Sequence, residues 1–128
     1  MSLILLVDDH APLRATMTDL LKHMGHGVIT AEDGRQALAT QKQTPANVLL
    51  TDIFMPNMDG FELIREFRRL YPTVKIIALS GGMTNRPGGP YLNIAQKFGA
   101  KWILPKPFSV KQLDEVIRAA TAEETPAA

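Results

Sequence analysis

The chain has 128 residues, of which 45% are hydrophobic and 21% are charged, as expected for one globular domain. Fourteen basic and thirteen acidic residues leave a net charge of +1, so charge gives no basis for direct nucleic-acid binding. The absence of cysteine excludes disulfides, thiol catalysis and thiolate metal sites. The N-terminal apolar run LILLV is too short for a signal-peptide core or a membrane span, so we expect a cytoplasmic protein without membrane association.

Short apolar runs predict five strands along the chain. Runs of this kind are typical of strands that are buried on both faces of a parallel sheet. The predicted strands are Leu3–Val7, Gly27–Ala31, Val48–Leu50 with Thr51 and Asp52 at its end, Lys75–Leu79 with Ser80 at its end, and Lys101–Leu104. Pro105 lacks the N–H that a central strand would need, so the fifth strand is expected at a sheet edge or to end there.

A helix signal follows each predicted strand, in the form of apolar residues at helical spacing and of residues that begin or end helices. Pro12 suits the first turn of the first helix, and capping pairs Asp33/Gln36, Asp59/Glu62 and Ser109/Gln112 open the second, third and fifth. Apolar residues recur at helical spacing in the first helix (Leu13, Met17, Leu20, Leu21 and Met24) and indicate a short fourth helix (Tyr91, Ile94, Ala95 and Phe98). The expected buried positions are Leu63, Ile64, Phe67 and Leu70 in the third helix and Val110, Leu113, Val116, Ile117 and Ala120 in the fifth.

The regular alternation of strands and helices predicts the fold class. It indicates a single α/β domain, a doubly wound (βα)5 unit of the flavodoxin-like type with parallel sheet order 2-1-3-4-5. The domain is expected to span residues 1–120. Residues 121–128 are predicted to be a polar C-terminal tail or the start of a trimmed linker.

Polar residues cluster where the predicted strands end. Strand one delivers Asp8 and Asp9, strand three Asp52 and strand four Ser80, and Lys106 follows strand five. In the predicted strand order the three carboxylates converge in one crevice, where they would repel one another unless a cation neutralised them. Mg²⁺ accepts carboxylate oxygens and keeps positions open for a phosphate oxygen. Asp52 is then the candidate nucleophile for an aspartyl-phosphate.

Four spaced motifs resemble the receiver domain of two-component response regulators. They are LLVDD (residues 5–9), TDIFMPNMDG (51–60), ALSGG (78–82) and LPKPF (104–108), in that order. The resemblance extends from Leu3 to about Ala120. It implies a signalling domain, not a conventional enzyme, which catalyses its own phosphorylation and dephosphorylation.

The resemblance also implies a role for each site residue. Asp52 would be the phosphorylated residue and a Mg²⁺ ligand, Asp9 a direct Mg²⁺ ligand, Asp8 a ligand mainly through water, and the main-chain carbonyl of Phe54 a further ligand. Ser80 and Lys106 would contact the phosphoryl group, and the Lys106–Pro107 peptide bond would be cis.

Partners are implied in the same way. A sensor histidine kinase or a histidine phosphotransfer protein would donate the phosphoryl group. The surface formed by the fourth helix, the fifth strand and the fifth helix would then change its affinity for a downstream output protein or domain, and could mediate a homodimer.

The switch is expected to depart from the family pattern. Many receivers have an aromatic ring three residues before the site lysine, and here that position is Ile103. We therefore expect the movement of Ser80 to pass to residues 81–92, a segment rich in glycine and proline, rather than to a ring at 103.

Other interpretations of these residues remain open at this point. Asp8 and Asp9 could simply cap the first helix, Ser80 could be a turn serine, and Lys106 a solvated loop lysine. A phosphatase of the haloacid-dehalogenase type would need an acid two residues after Asp52, where Phe54 stands. A flavin-binding module would need a phosphate-binding loop after strand one, where the two aspartates would repel a phosphate.

Overall fold

A computed structural model describes residues 2–53, 55, 58–80 and 96–122, with Ser80 described by its main chain only. The strands are β1 (Leu3–Val7), β2 (Gly27–Ala31), β3 (Val48–Asp52), β4 (Lys75–Ser80) and β5 (Trp102–Pro105). The helices are α1 (Ala11–His23), α2 (Gly34–Gln43), α3 (Gly60–Leu70) and α5 (Val110–Ala122), and residues 96–98 form a helical turn, α4.

The five strands form one parallel sheet in the order β2-β1-β3-β4-β5, which confirms the predicted fold class. Val7 at the end of β1 pairs with Thr51 of β3, and Ser80 at the end of β4 pairs with Pro105 of β5. The carboxyl ends of all five strands therefore lie along one edge of the sheet, the carboxyl edge. In a doubly wound sheet this edge is where ligands bind.

Alternating strand residues build a separate hydrophobic core on each face of the sheet, because successive side chains of a strand point to opposite faces. On one face Leu5, Val7 and Leu49 pack with residues of α2 and α3, which include Ala37, Leu63, Ile64 and Phe67. On the other, Ile4, Leu6, Val48 and Leu50 pack with Met17 and Leu21 of α1 and with Leu113, Ile117 and Ala120 of α5. The central strands are therefore held from both sides.

Three helices begin at the predicted caps. The side chain of Asp33 accepts the main-chain N–H of Gln36 at 2.9 Å, and that of Asp59 accepts the N–H of Glu62 at 2.9 Å. Ser109 and Gln112 exchange two hydrogen bonds, a complete capping box at α5. Helix α1 differs, because its N-cap residue His10 makes no side-chain capping bond.

Some predicted details are wrong, mainly at the ends of elements. Leu70 and Val110 are 45% and 53% exposed although their spacing predicts burial. Leu70 is the last residue of α3 and Val110 the first of α5, so each lies at a helix end. Strand β5 begins at Trp102, one residue later than predicted, and α5 continues to Ala122, two residues into the predicted tail. The position of β5 at the sheet edge agrees with the prediction from Pro105.

Most of the predicted fourth helix and the loop before it lie outside the described residues, as do residues 123–128. Gly99, directly after α4, has φ +131°, a conformation that favours glycine after a helix. Within the described part of the chain, no helix has the length and hydrophobicity needed to cross a membrane.

Candidate phosphoryl and metal site

The carboxyl edge gathers the three predicted carboxylates. Asp52 is the last residue of β3, and Asp8 directly follows Val7, which pairs with Thr51 on β3. One carboxylate oxygen from each of Asp8, Asp9 and Asp52 lies within 4.8 Å of the others. The convergence predicted from the order of the strands is therefore present in the structure.

Asp8 is fully buried and each of its polar groups has a partner. Its main-chain N–H donates to the carbonyl oxygen of Ala31 at 3.2 Å, and its carbonyl oxygen accepts from Nη1 of Arg14 at 2.7 Å. Its Oδ1 accepts the N–H of His10 at 2.8 Å, and its Oδ2 lies 3.2 Å from Nζ of Lys106. Asp8 therefore holds the turn between β1 and α1 and does not cap the helix, while Asp9 is exposed beside it.

The two carboxylate oxygens of Asp52 have different partners, a main-chain N–H and the ammonium group of Lys106. Its Oδ1 accepts the N–H of Ile53 at 2.8 Å, and its Oδ2 lies 3.3 Å from Nζ of Lys106. Its side chain is only 13% exposed. Burial raises the pKa of Asp52 above its usual value; the positive charge of Lys106 opposes this rise and the negative charge of Asp8 adds to it.

Lys106 bridges the two buried carboxylates. It follows β5, it precedes a cis peptide bond to Pro107, and its side chain is 20% exposed. Because β4 lies between β3 and β5, the lysine reaches across the end of β4 to contact Asp52 and Asp8. A solvated loop lysine would not make these two ion pairs.

Gly60 allows the start of α3 to lie directly on the end of β3. Its N–H donates to the carbonyl oxygen of Ile53 at 2.6 Å. A Cβ at this position would clash with the carbonyl oxygen of Asp52 and with Cα of Ile53, which are main-chain atoms that cannot move independently. The glycine therefore fixes the main chain that presents the Asp52 carboxylate.

The remaining predicted site residues are described only in part. The main chain of Ser80 ends β4 beside Pro105, and Phe54 lies outside the described residues, as does the expected switch segment 81–92. Ile103 pairs with Ala78 and is half-buried on the face covered by α2 and α3. Its predicted part in a switch stays a prediction.

The donor set fits a hard divalent cation. All three side chains offer carboxylate oxygens, the ligand type that Mg²⁺ and Ca²⁺ prefer, and the oxygens are close enough to share one ion. Asp8, Asp9 and Asp52 are the residues that would hold it. Lys106 already supplies one positive charge to this cluster, which accounts for how two buried acids persist side by side.

One residue of the site is missing from the sequence-based prediction. Arg14 contacts the main chain of Asp8, and no motif singles it out. A signal was nevertheless present, because Arg14 precedes the buried Met17 and Leu21 by three and seven residues and so lies on the buried face of α1. An arginine at the site end of an apolar stripe indicates a specific polar partner.

Comparison with known proteins agrees with this fold. The family model described as response regulator receiver domain matches residues 4–118. A probable transcriptional regulator ycf27 from Guillardia theta is 35% identical over 98% of this chain and 47% of its own length. The transcriptional regulatory protein CpxR from Klebsiella pneumoniae is 37% identical over 93% and 49%. The chemotaxis protein CheY4 from Vibrio cholerae superposes with a TM-score of 0.84 at 30% identity, covering 94% of this chain and 98% of that one.

The fold and the site define an α/β signalling domain with an acidic carboxyl edge. The chain belongs to the response regulator receiver domain family of two-component systems, as the resemblance predicts. It spans about half the length of the curated relatives that it matches, 47% of one and 49% of another.

Proposed function

We propose that the protein accepts a phosphoryl group on Asp52 from a phosphohistidine of a partner kinase or phosphotransfer protein. The observation that carries the proposal is the placement of Asp52 between a second buried acid and a lysine at the carboxyl edge. The Asp52 carboxylate already faces the ammonium group of Lys106, and the cluster of three acids could also hold a metal ion. In-line phosphoryl transfer needs mainly positioning and charge neutralisation, which this arrangement supplies.

The transfer forms a P–O bond at a carboxylate oxygen of Asp52 and breaks the P–N bond of the donor, whose imidazole already carries a proton on its other ring nitrogen and leaves as neutral imidazole. Ile53 N–H holds Oδ1 of Asp52 and orients the carboxylate. The ammonium group of Lys106, which lies 3.3 Å from Oδ2 of Asp52, would shift to contact an oxygen of the transferred phosphoryl group. Mg²⁺, when bound, neutralises charge on the oxygens of the phosphoryl group and of the acids. The same residues would stabilise the phosphoryl group when water attacks its phosphorus, which breaks the P–O bond to Asp52 and releases inorganic phosphate, so we propose that the domain catalyses its own phosphorylation and dephosphorylation.

The two acids of the β1–α1 turn are suited to different parts in holding the cation. Both carboxylate oxygens of Asp8 already have partners, the His10 N–H and Lys106, and the side chain has no exposure to solvent. Asp9 is exposed at the rim. This supports Asp9 as a direct ligand and Asp8 as a ligand mainly through water.

An apolar cleft beside the lysine suits the phosphodonor. The cleft has a volume of about 550 Å³ and lies between α1 and the segment after β5. Its lining residues are Leu13, Thr16, Met17, Leu20, Lys106, Pro107 and Phe108. A donor helix packed here would bring a phosphohistidine towards Lys106 and Asp52, as apolar grooves receive amphipathic helices. We propose this cleft as the contact for the kinase or phosphotransfer protein.

Phosphorylation would be read by a downstream output protein or domain. The proposed surface comprises α4, β5 and α5, and the same surface could pair two copies of the domain. The location proposed for this exchange is the cytoplasm, as expected from the sequence.

Labelling with a small acyl phosphate tests the proposal. In the presence of Mg²⁺ the parent protein should gain one phosphoryl group that is labile to alkali, because acyl phosphates hydrolyse under those conditions. Asp52→Asn should gain none, since an amide is not a nucleophile of this kind. Intact-protein mass spectrometry before and after alkali measures both results.

The matched control is Asp59→Asn, because Asp59 is an aspartate that caps α3 and lies outside the cluster. This variant should be labelled like the parent. Labelling of Asp52→Asn to the parent's level would show that another residue is the acceptor.

A further inference from the structure

Arg14 occupies an unusual place for an arginine. It lies on the buried face of α1 in line with Met17 and Leu21, and its side chain is only 17% exposed. Its second contact is weak, since Nη2 is 3.8 Å from a carboxylate oxygen of Glu32, whose side chain is 65% exposed. The contact that accounts for its burial is therefore the one with Asp8.

That contact fixes a peptide plane in the acidic turn. Nη1 of Arg14 donates to the carbonyl oxygen of Asp8 at 2.7 Å. The same peptide unit carries the N–H of Asp9, and because a peptide unit is planar, holding its oxygen sets the direction in which the chain leaves towards Asp9. Charge-assisted bonds of this length are among the stronger hydrogen bonds in proteins.

The turn has no support from a side-chain helix cap. The N-cap residue of α1, His10, makes no side-chain capping bond, and the first turn of the helix has no acidic residue. Besides the Arg14 contact, Asp8 makes three polar contacts, and one of them holds the N–H of His10, the residue after Asp9. Arg14 holds the peptide before Asp9, and the exposed Asp9 carboxylate is placed between these two held peptides. Asp9 is also one of the three acids whose oxygens lie within 4.8 Å of one another.

We propose that Arg14 is a positioning residue for the cation site, which holds the Asp8–Asp9 peptide so that the Asp9 carboxylate faces Asp52. The proposal rests on the proposed function in one respect, namely that the cation bound by these acids assists phosphoryl transfer. Arg14 touches neither the cation nor the phosphoryl group and acts through the main chain.

The charge of Arg14 and its hydrogen bond have opposite effects on Mg²⁺ affinity, so an affinity measurement can test the proposal. A guanidinium near the cluster repels Mg²⁺, so loss of the charge alone would strengthen binding. Loss of the hydrogen bond frees the turn and weakens binding. The sign of the change in Mg²⁺ affinity therefore separates the two effects.

Titration calorimetry with Mg²⁺ alone tests the proposal. We expect Arg14→Met to bind Mg²⁺ about tenfold more weakly than the parent, the usual consequence of removing a group that orients metal ligands. Arg14→Lys keeps the charge and one donor without the planar fork, so it should bind roughly threefold more weakly. Unchanged or tighter binding by Arg14→Met would overturn the proposal.

A second measurement separates positioning from a general loss of structure. With an acyl phosphate donor, Arg14→Met should need about tenfold more Mg²⁺ for its half-maximal labelling rate, and should reach the parent's rate at saturation. A merely structural role would lower the maximal rate without shifting the Mg²⁺ dependence, and that result would contradict the proposal. If Arg14→Met does not fold, Arg14→Lys carries the test, and parent-like affinity in that variant overturns it.

Two control variants remove an arginine or a glutamate and keep the hydrogen bond from Arg14 to the Asp8 carbonyl oxygen. Arg118→Met removes an exposed arginine paired with Asp114 on α5, and Glu32→Gln removes the weak contact of Arg14. Both should keep the parent's Mg²⁺ affinity. Calorimetry needs no phosphoryl donor, so a Mg²⁺ effect in a parent that is never labelled would refute the proposed function and leave the positioning role standing.

Discussion

Two groups of aspartates in this protein lie close to helix starts and have opposite effects on the fold. Asp33 and Asp59 each accept the main-chain N–H of the residue three positions later and complete the first turn of a helix. Asp8 and Asp52 instead lie together at the carboxyl edge, buried, with one lysine between them. The same carboxylate stabilises the fold at a helix start and strains it at the edge of the sheet.

The difference follows from solvation and neighbouring charge. A capping carboxylate stays in contact with water and satisfies an N–H that has no partner within the helix. Burial penalises the charge of Asp52 and Asp8 adds repulsion, so the pKa of Asp52 is raised in spite of Lys106. Acids held in this way are suited to receive a cation and a phosphoryl group.

The largest expected effect comes from removing the ammonium group of Lys106, which pairs with both Asp8 and Asp52. Lys106→Met should lower the free energy of unfolding of the metal-free protein at neutral pH by about 3 kcal/mol, since an unpaired buried charge is costly. Urea unfolding with a chelator present measures it. Added Mg²⁺ should restore part of the loss, because it brings positive charge back to Asp8 and Asp52.

Lys111→Met is the matched control for that experiment, since Lys111 is an exposed lysine on α5. It should change stability by no more than about 0.5 kcal/mol. A loss in Lys106→Met as small as that of the control would mean that the two ion pairs contribute little.

A smaller loss is expected at a helix start. Asp59→Ala should cost about 1 kcal/mol, because the N–H of Glu62 loses its acceptor. Thermal unfolding measures the loss, and Asp33→Ala should behave alike because its geometry is the same. Neither variant should change Mg²⁺ affinity. A stabilising effect of Asp59→Ala would remove the contrast between the two groups of acids.

The smallest effect has the opposite sign. In metal-free protein at neutral pH, Asp52→Asn should raise the free energy of unfolding by less than about 1 kcal/mol, since Lys106 already offsets much of the strain. The folded-state pKa of Asp52 is raised, so its ionised form destabilises the fold above that pKa. The advantage of the variant should shrink as the pH falls through that pKa and the parent's carboxyl takes up a proton.

Melting temperatures of the parent and Asp52→Asn, measured from neutral to acidic pH without divalent cations, test this sign. A variant that melts below the parent at neutral pH would contradict it, as would a difference that widens as the pH falls.

Sequence patterns predict this fold well because its signals are local and repeated. The starts of α2, α3 and α5 were identified from pairs of residues three positions apart, and the structure confirms the capping bonds. Periodicity fails at Leu70 and Val110, the two residues at helix ends, because it reports which face of a helix is apolar and not how far along the helix that face is covered.

The site is predictable to the level of its acids and its lysine, and less so beyond them. Strand order alone brings Asp8 and Asp52 together, because parallel strands share an edge. The bridge made by Lys106 and the bond from Arg14 to a main-chain carbonyl depend on where long side chains end, which spacing along the chain does not encode.

The central claim is that Asp52 carries the phosphoryl group, and mapping the modified residue tests it most directly. Borohydride reduces an aspartyl-phosphate to homoserine, which marks the acceptor permanently for peptide sequencing by tandem mass spectrometry. After labelling with an acyl phosphate and Mg²⁺, homoserine should be found at position 52 and at no other aspartate. Homoserine at Asp8 or Asp9, or a labelled protein without homoserine at 52, would contradict the account.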